Sequence, residues 1–230
     1  MIFQTIAFIF ARGDSKGLKD KNILQIGDKP LIAHSIDLAK KIKEIDKIFV
    51  STDSDKIAYI GKKYGAQIIE RPKELALDNS PEWLSWQHAI NFFKNKYGPF
   101  KKFLSLPPTA PLRSINDVQK CLDALKGNVD IVPTMTESHR NPWFNMVTYS
   151  EKNNDINFIN KNDLIKRRQD APKCFDLSTV AYVSNPDFVI KEKSIWDGFV
   201  RGIEIPIERS IDIDNKYDFE IAKFLFSKKI

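Results

Sequence analysis

Cysteine is nearly absent from this 230-residue chain: Cys121 and Cys174 stand alone, with no paired Cys or His at ligand spacing. That excludes a disulfide framework and a structural zinc site, and it fits a reducing cytoplasm. Histidine is almost as rare, and His34, His88 and His139 are not grouped; the first two fall on predicted helices, where core or surface duty accounts for them. Nowhere do about 18 apolar residues run together, so no membrane-spanning helix is predicted. No cationic region precedes the first apolar run, and Arg12 ends that run too early for a signal peptide, so an unexported, cytoplasmic protein is expected. Glycine numbers only nine, and neither Gly-x-x-x-x-Gly-Lys-Ser/Thr nor Gly-x-Gly-x-x-Gly occurs. The two familiar glycine-rich phosphate loops are therefore excluded. Repeats and low-complexity tracts are missing too.

What the chain does have is a globular balance, 42% hydrophobic and 29% charged, enough to bury a substantial core in one domain over residues 1–230. The net charge of +6 raises the question of nucleic acid, but the lysines are scattered among Asp and Glu. No aromatic-rich nucleic-acid motif accompanies them. An anionic small substrate explains the balance as well.

Residues 6–10 form a continuous apolar run that reads as a strand buried on both faces. Pro30 at a first helical position opens a crossover helix carrying Leu31, Ile32, Ile36, Ala39 and Ile42. Strands follow at 47–51 and 66–70, separated by a helix that the segment 52–55 caps. A helix over 82–97 puts Trp86, Ile90 and Phe93 into the core, and a strand at 103–106 runs into the proline-rich loop 107–111. Ser114 caps a helix whose inward face is Ile115, Val118, Cys121, Leu122 and Leu125, with Gly127 as its stop. Strands at 129–133, 179–184, 202–207 and 210–214 precede a last helix over 216–226. Strands alternating with helices imply βαβ units, an α/β fold with a mostly parallel sheet. Between 137 and 175 the pattern breaks, with weak alternation and apolar residues spaced by polar ones. A protruding β-ribbon is expected there, and an exposed apolar arm of that kind usually finds a partner.

Three constellations carry chemistry. After the first strand, Arg12, Lys16 and Lys21 lie among Gly13, Ser15 and Gly17, so amides, a hydroxyl and cations can converge on a polyphosphate. A solvated turn with surface lysines is the plainer alternative. Asp212 and Asp214 flank Ile213, so in an extended chain both carboxylates project to one side and suit Mg²⁺, unless Asp214 simply caps the last helix. Arg140 and Asn141, with Arg167, Arg168 and Gln169, lie in the ribbon, where they offer a carboxylate a bidentate partner or merely form a basic rim.

Ala-Arg-x-x-Ser-Lys-Gly-Leu-x-x-Lys-Asn, running from Ala11 to Asn22, resembles the signature loop of the cytidylyltransferases that activate acidic sugars, the CMP-sialic, legionaminic and pseudaminic acid synthetases. Further matches occur in the family's order at Ser51 to Asp53, Arg71 to Asp78, Pro108 to Arg113 and Asp212 to Asp218, across almost the whole chain. The resemblance implies a three-layer Rossmann-like nucleotidyltransferase fold with a dimerisation arm. It implies CTP and an acidic sugar as substrates, Mg²⁺ on Asp212 and Asp214, no nucleic-acid or membrane partner, and a homodimer. Arg12, Lys21 and Asp214 would be catalytic. Ala11, Arg12, Gly13, Ser15, Lys16, Asn22, Arg71, Asp78 and Asn79 would hold the nucleotide; Thr109, Arg140, Asn141, Arg167, Arg168 and Gln169 would hold the sugar. Leu106-Pro107-Pro108-Thr109 stands where sialic acid enzymes have Leu-Gln-Pro-Thr, and Asp176-Leu177-Ser178-Thr179 where they have Arg-Pro-Asn-Gly. Those departures point away from sialic acid itself, while the run Arg140-Asn141-Pro142 with Arg168-Gln169 and Ala171-Pro172-Lys173 resembles the legionaminic-type members, a relative with another sugar being the alternative. A synthetase for CMP-3-deoxy-octulosonate and a nucleotide-sugar glycosyltransferase, which also uses Asp-x-Asp, are the alternatives.

Overall fold

The alternation of β1 (Phe3–Phe10) sets the architecture: Ala7 and Ile9 bury on one side of the sheet, and Ile6, Phe8 and Phe10 on the other. A strand covered on both faces belongs at the centre. The computed structural model describes residues 2–14, 17–150 and 155–228. After β1 come a small hairpin, β2 (Gln25–Ile26) and β3 (Lys29–Pro30), then α1 (Leu31–Lys40), β4 (Ile45–Thr52), α2 (Asp55–Lys63), β5 (Gln67–Glu70) and α3 (Glu82–Tyr97). The second half holds β6 (Phe100–Ser105), α4 (Ile115–Ala124), β7 (Ile131–Glu137), β8 (Val147–Tyr149), β9 (Ile156–Phe158), β10 (Phe175–Ser184), α5 (Pro186–Lys191), β11 (Ile203–Glu204) and α6 (Lys216–Ser227).

Seven strands form the main sheet in the order β11-β7-β10-β6-β1-β4-β5, parallel except for β10. Helices α1, α2 and α4 pack one face through Ile36, Ile57 and Val118, while α3 and α5 cover the other through Trp86, Phe93 and Phe188. The mostly parallel sheet is the one the alternation predicts, and the three layers are the Rossmann-like arrangement the resemblance implies. From β1 the chain moves outward to β4 and β5, then returns to β6 on the opposite flank. The crevice beyond the carboxyl ends of β1 and β6 is thus a topological switch point, where open α/β sheets bind ligands.

Several boundaries differ from expectation, each for a local reason. Pro30 is the N-cap of α1 rather than its first residue, because it already pairs with Gln25. Ile115 is 41% exposed, as the outermost residue of α4, and that helix ends at Ala124 before reaching Gly127. Pro133 does not end β7; it faces Tyr182 at a break in register, where the ladder can spare its missing N–H. Residues 210–214 form no strand. The prolines of 107–111 offer few donors, and a single bond, Ile213 N–H to the Thr109 carbonyl at 2.9 Å, fastens the segment. The expected ribbon is there as β8 and β9, a separate antiparallel pair. Among the described residues no helix is long and apolar enough to cross a membrane.

Candidate active site

A pocket of about 560 Å³ opens at the switch point, and segments from both ends of the chain line it. Phe10 and Arg12 come from the end of β1, Arg71 from the end of β5, Pro107 to Thr109 from the loop after β6, and Asp212 and Asp214 from the approach to α6.

The loop after β1 is held at several points. Ala11 N–H donates to the Ser51 carbonyl at 3.1 Å, Gly13 N–H to Asp53 Oδ1 at 2.9 Å, and the buried Asn22 amide reaches back to the Arg12 carbonyl at 3.0 Å. Ala11, Gly13 and Asn22 therefore shape the loop, and only Asn22 of the three also borders the pocket. Arg12 pairs with Asp78 at 2.5 Å, tying the loop to the segment after β5, while the exposed Asn79 stays off the pocket wall. Lys21 Nζ donates to Asp214 Oδ1 at 2.8 Å. Gly17 explains how the two ends come so close: a Cβ there would collide with the Asp214 carbonyl oxygen, so only glycine fits. Ser15 and Lys16, both expected in the cradle, lie outside the described residues.

In the segment that meets this loop, Ile213 is fully buried beside Leu31 and Ala222, which turns its two neighbours outward. Asn215, not Asp214, caps α6, and Asp218 accepts from the N–H groups of Asp214 and Asn215. Asp218 is thereby committed to the backbone. Upstream, Arg209 grips Asp117 of α4 with two bonds of 2.8 and 2.9 Å. Burial opposes charge on Asp117, but the bonds from Arg209 and Ser114 outweigh it and hold its pKa below the usual range. Asp212 Oδ1 is buried without a hydrogen-bond partner among the described residues. An orphaned carboxylate oxygen two residues from a second carboxylate is a donor set Mg²⁺ takes, completing its octahedron with water and phosphate oxygens. Among the described residues no group of three or more His, Cys, Asp or Glu gathers to hold an ion alone.

Arg71 is 6% exposed; it donates from Nη2 to the Ser51 carbonyl at 2.8 Å and from Nε to Ser51 Oγ at 3.2 Å, with Phe10 under its guanidinium. Burial lowers its pKa, against the field of Glu82. Arg113 is buried too, donating to Ser35 Oγ and the Pro107 carbonyl, and burial pushes its pKa down to about 9. It remains a cation at neutral pH that anchors the proline-rich loop.

Thr109 lines the pocket, but the ribbon residues do not. Asn141 is buried at the root of the ribbon, bonded to the Pro172 carbonyl at 2.8 Å, and Arg167 is spent on Asp170. Arg168 donates to the His139 carbonyl and borders a separate hollow of about 270 Å³; Arg140 and Gln169 are exposed. Among the pocket residues, Glu82 was given no role at the site by the sequence, and Thr179 entered only as the first residue of a strand and the last of the 176–179 departure. Glu82 looks like an ordinary first-turn acid of a helix. Thr179 is aimed at the pocket by a bulge, since pairing of β10 with β7 shifts between Ser178 and Tyr182, and its buried Oγ1 has no partner.

A family profile described as cytidylyltransferase matches residues 6–195. The chain is 34% identical over 237 residues to post-translational flagellin modification protein B of Campylobacter coli, covering 98% of this chain and 96% of that protein. It is 34% identical over 230 residues to CMP-N,N'-diacetyllegionaminic acid synthase of Campylobacter jejuni, again over 98% and 96%. A solved structure of CMP:2-keto-3-deoxy-manno-octonic acid synthetase complexed with CTP matches 99% of this chain and 100% of that one, with a TM-score of 0.71. At 14% identity that likeness bears on the fold alone.

Proposed function

Since the chain belongs to the cytidylyltransferase family, we propose that it transfers the cytidylyl group of CTP to a nine-carbon 2-keto acidic sugar, a legionaminic, sialic or related nonulosonic acid. The anomeric hydroxyl oxygen bonds to the α-phosphorus, the bridging oxygen leaves with pyrophosphate, and the hydroxyl proton is released. One observation carries the reading: Lys21 from the first loop meets Asp214 from the last turn before α6, so cations for a triphosphate and carboxylates for a metal border one pocket. The relative named for CMP-diacetyllegionaminic acid synthesis supports the sugar class.

In this reading Arg12 and Lys21 neutralise the triphosphate, with Ser15 and Lys16 from the same loop, and Arg71 and Asp78 serve the nucleoside. Catalysis is positioning and charge neutralisation. Asp212 and Asp214 would hold Mg²⁺, which when bound polarises the α-phosphate and lowers the pKa of the attacking hydroxyl. Thr109 faces the acceptor. The exposed Arg140, Arg168 and Gln169 would reach a sugar carboxylate from a second copy of the chain, docked through the ribbon, where Tyr149 is 74% and Leu164 87% exposed, while Asn141 and Arg167 hold the ribbon's shape. The two free thiols fit work in a reducing cytoplasm.

Pyrophosphate release from CTP, tried with legionaminic, sialic, pseudaminic and 3-deoxy-octulosonic acids with and without a chelator, tests the proposal. Magnesium-dependent turnover with a nine-carbon acid is expected. Release with none of them would end it, and preference for the octulosonate would favour the eight-carbon class. Equilibrium sedimentation showing only monomer would remove the dimer.

A further inference from the structure

The pocket wall that includes Phe10, Leu75 and Leu77 also carries two side chains of opposite hydrogen-bonding character, Arg71 and Glu82. Arg71 can only donate, and an ionised carboxylate such as Glu82 can only accept. Each feels the other's charge. Arg71 is locked by Ser51, and Glu82 is steadied by Trp86, whose indole Nε1 donates to Oε1 at 3.1 Å. Both are held in place while bordering the cavity, which makes them a fixed donor and acceptor beside the apolar side chains of Phe10, Leu75 and Leu77.

That pattern matches one pyrimidine and opposes the other. Cytosine offers acceptors at O2 and N3 and an amine at C4, whereas uracil offers an N3–H and a carbonyl at C4. We infer that Glu82 reads the base of the nucleotide, its carboxylate accepting from the C4 amine while Arg71 faces the acceptor edge, so that Glu82 selects CTP over UTP. This rests on the cytidylyl-transfer reading above. Uracil in the same pose sets its C4 carbonyl against the carboxylate, which costs a hydrogen bond and adds repulsion. The surroundings of Glu82 agree. Glu82 is exposed where it borders the pocket, so its carboxylate is open to a ligand donor while Trp86 holds Oε1. A carboxylate so placed gains from a ligand N–H.

The test is Glu82→Gln, which keeps the length and the Trp86 contact but presents an amide able to turn its NH₂ toward a carbonyl, with Glu82→Ala as a second variant and thermal melts to check folding. Turnover with CTP and UTP is measured at saturating sugar, and calorimetric binding of CMP and UMP is measured without sugar. The expected result is a CTP-over-UTP preference reduced by about 10- to 100-fold in both variants, mostly through KM, with the CMP-over-UMP preference reduced in parallel. Equal losses with both nucleotides and an unchanged ratio overturn it, since a proton acceptor for the sugar hydroxyl would behave that way. So does a penalty that separates CTP from dCTP instead, which would assign Glu82 to the ribose. Calorimetry keeps the two readings apart: if no sugar is ever activated, cytidylyl transfer fails, while the CMP and UMP comparison still decides the role of Glu82.

Discussion

Lys21 Nζ and Asp214 Oδ1 meet at 2.8 Å although the residues are 193 positions apart, so the first loop and the turn before α6 form one wall of the pocket. Asp214 is 70% exposed, and an ion pair in that setting contributes only about 0–1 kcal/mol to folding. Lys21→Ala is therefore expected to leave the melting temperature within about 4 °C of wild type. Its effect falls on turnover, where loss of a positioned cation costs on the order of 100- to 1,000-fold. Pyrophosphate release at a near-normal rate would remove Lys21 from the cradle.

Arg71 should behave the other way. Its guanidinium joins the end of β5 to the end of β4 through both the Ser51 hydroxyl and carbonyl, inside the protein. Arg71→Ala strands those acceptors at a cost of roughly 1–3 kcal/mol, and Lys cannot restore a planar fork. A lowered urea midpoint together with a raised KM for CTP is expected in both Arg71→Ala and Arg71→Lys. An unchanged midpoint would mean that Arg71 acts on ligand alone.

How much of this was legible beforehand depended on whether a local pattern decided it. The alternation of Ala7 and Ile9 against Ile6 and Phe8 announced a central strand, and the 82–97 helix was visible from its apolar spacing and the turn before it. Asp212 and Asp214 could be paired from sequence because an extended backbone projects alternate side chains together, with or without a ladder. The actual lack of a strand there could not be foreseen, since it turns on what the distant 107–111 loop offers as donors. Thr179 was hidden for the same reason: a bulge arises from how β10 registers on β7, and Thr134, which bonds both Ser178 and Ala181 across it, lies far away in the chain. Glu82 carried no signal beyond that of a helix start.

The bond between Asp117 and Arg209 gives a pH dependence with a definite sign. Asp117 is 1% exposed at its side chain and its folded pKa lies below the unfolded value of about 3.9. A depressed carboxyl stabilises the fold fully above the unfolded pKa, and that contribution is lost as pH falls through the folded pKa. Below about pH 4, wild type should therefore lose stability faster than Asp117→Asn, although at pH 7 the variant is weaker by roughly 3 kcal/mol because Arg209 is left unpaired. Denaturant midpoints of both proteins from pH 7 down to pH 3 check this. Parallel curves would show that the pair contributes nothing through its charge. Because Arg209 lies just upstream of Asp212, turnover of Asp117→Asn should also fall.

The sharpest test of the shared wall is Gly17→Ala, which adds one methyl group and no charge. Its Cβ points at the backbone carbonyl of Asp214, a group that cannot swing aside like a side-chain tip. The loop and the aspartate segment must part, and Lys21 and Asp214 part with them. A displacement of about 1 Å between groups that act on one triphosphate is enough to cost on the order of 100-fold in rate. Because α6 and the sheet do not depend on that contact, far-ultraviolet dichroism and the cooperativity of unfolding should stay as in wild type. The loss should appear with every acidic sugar tried, since the methyl group displaces Lys21 and Asp214, to which no contact with the sugar is assigned. If Gly17→Ala turns over normally, the close approach of the two segments has no part in the chemistry, and Lys21 and Asp214 serve only as surface partners.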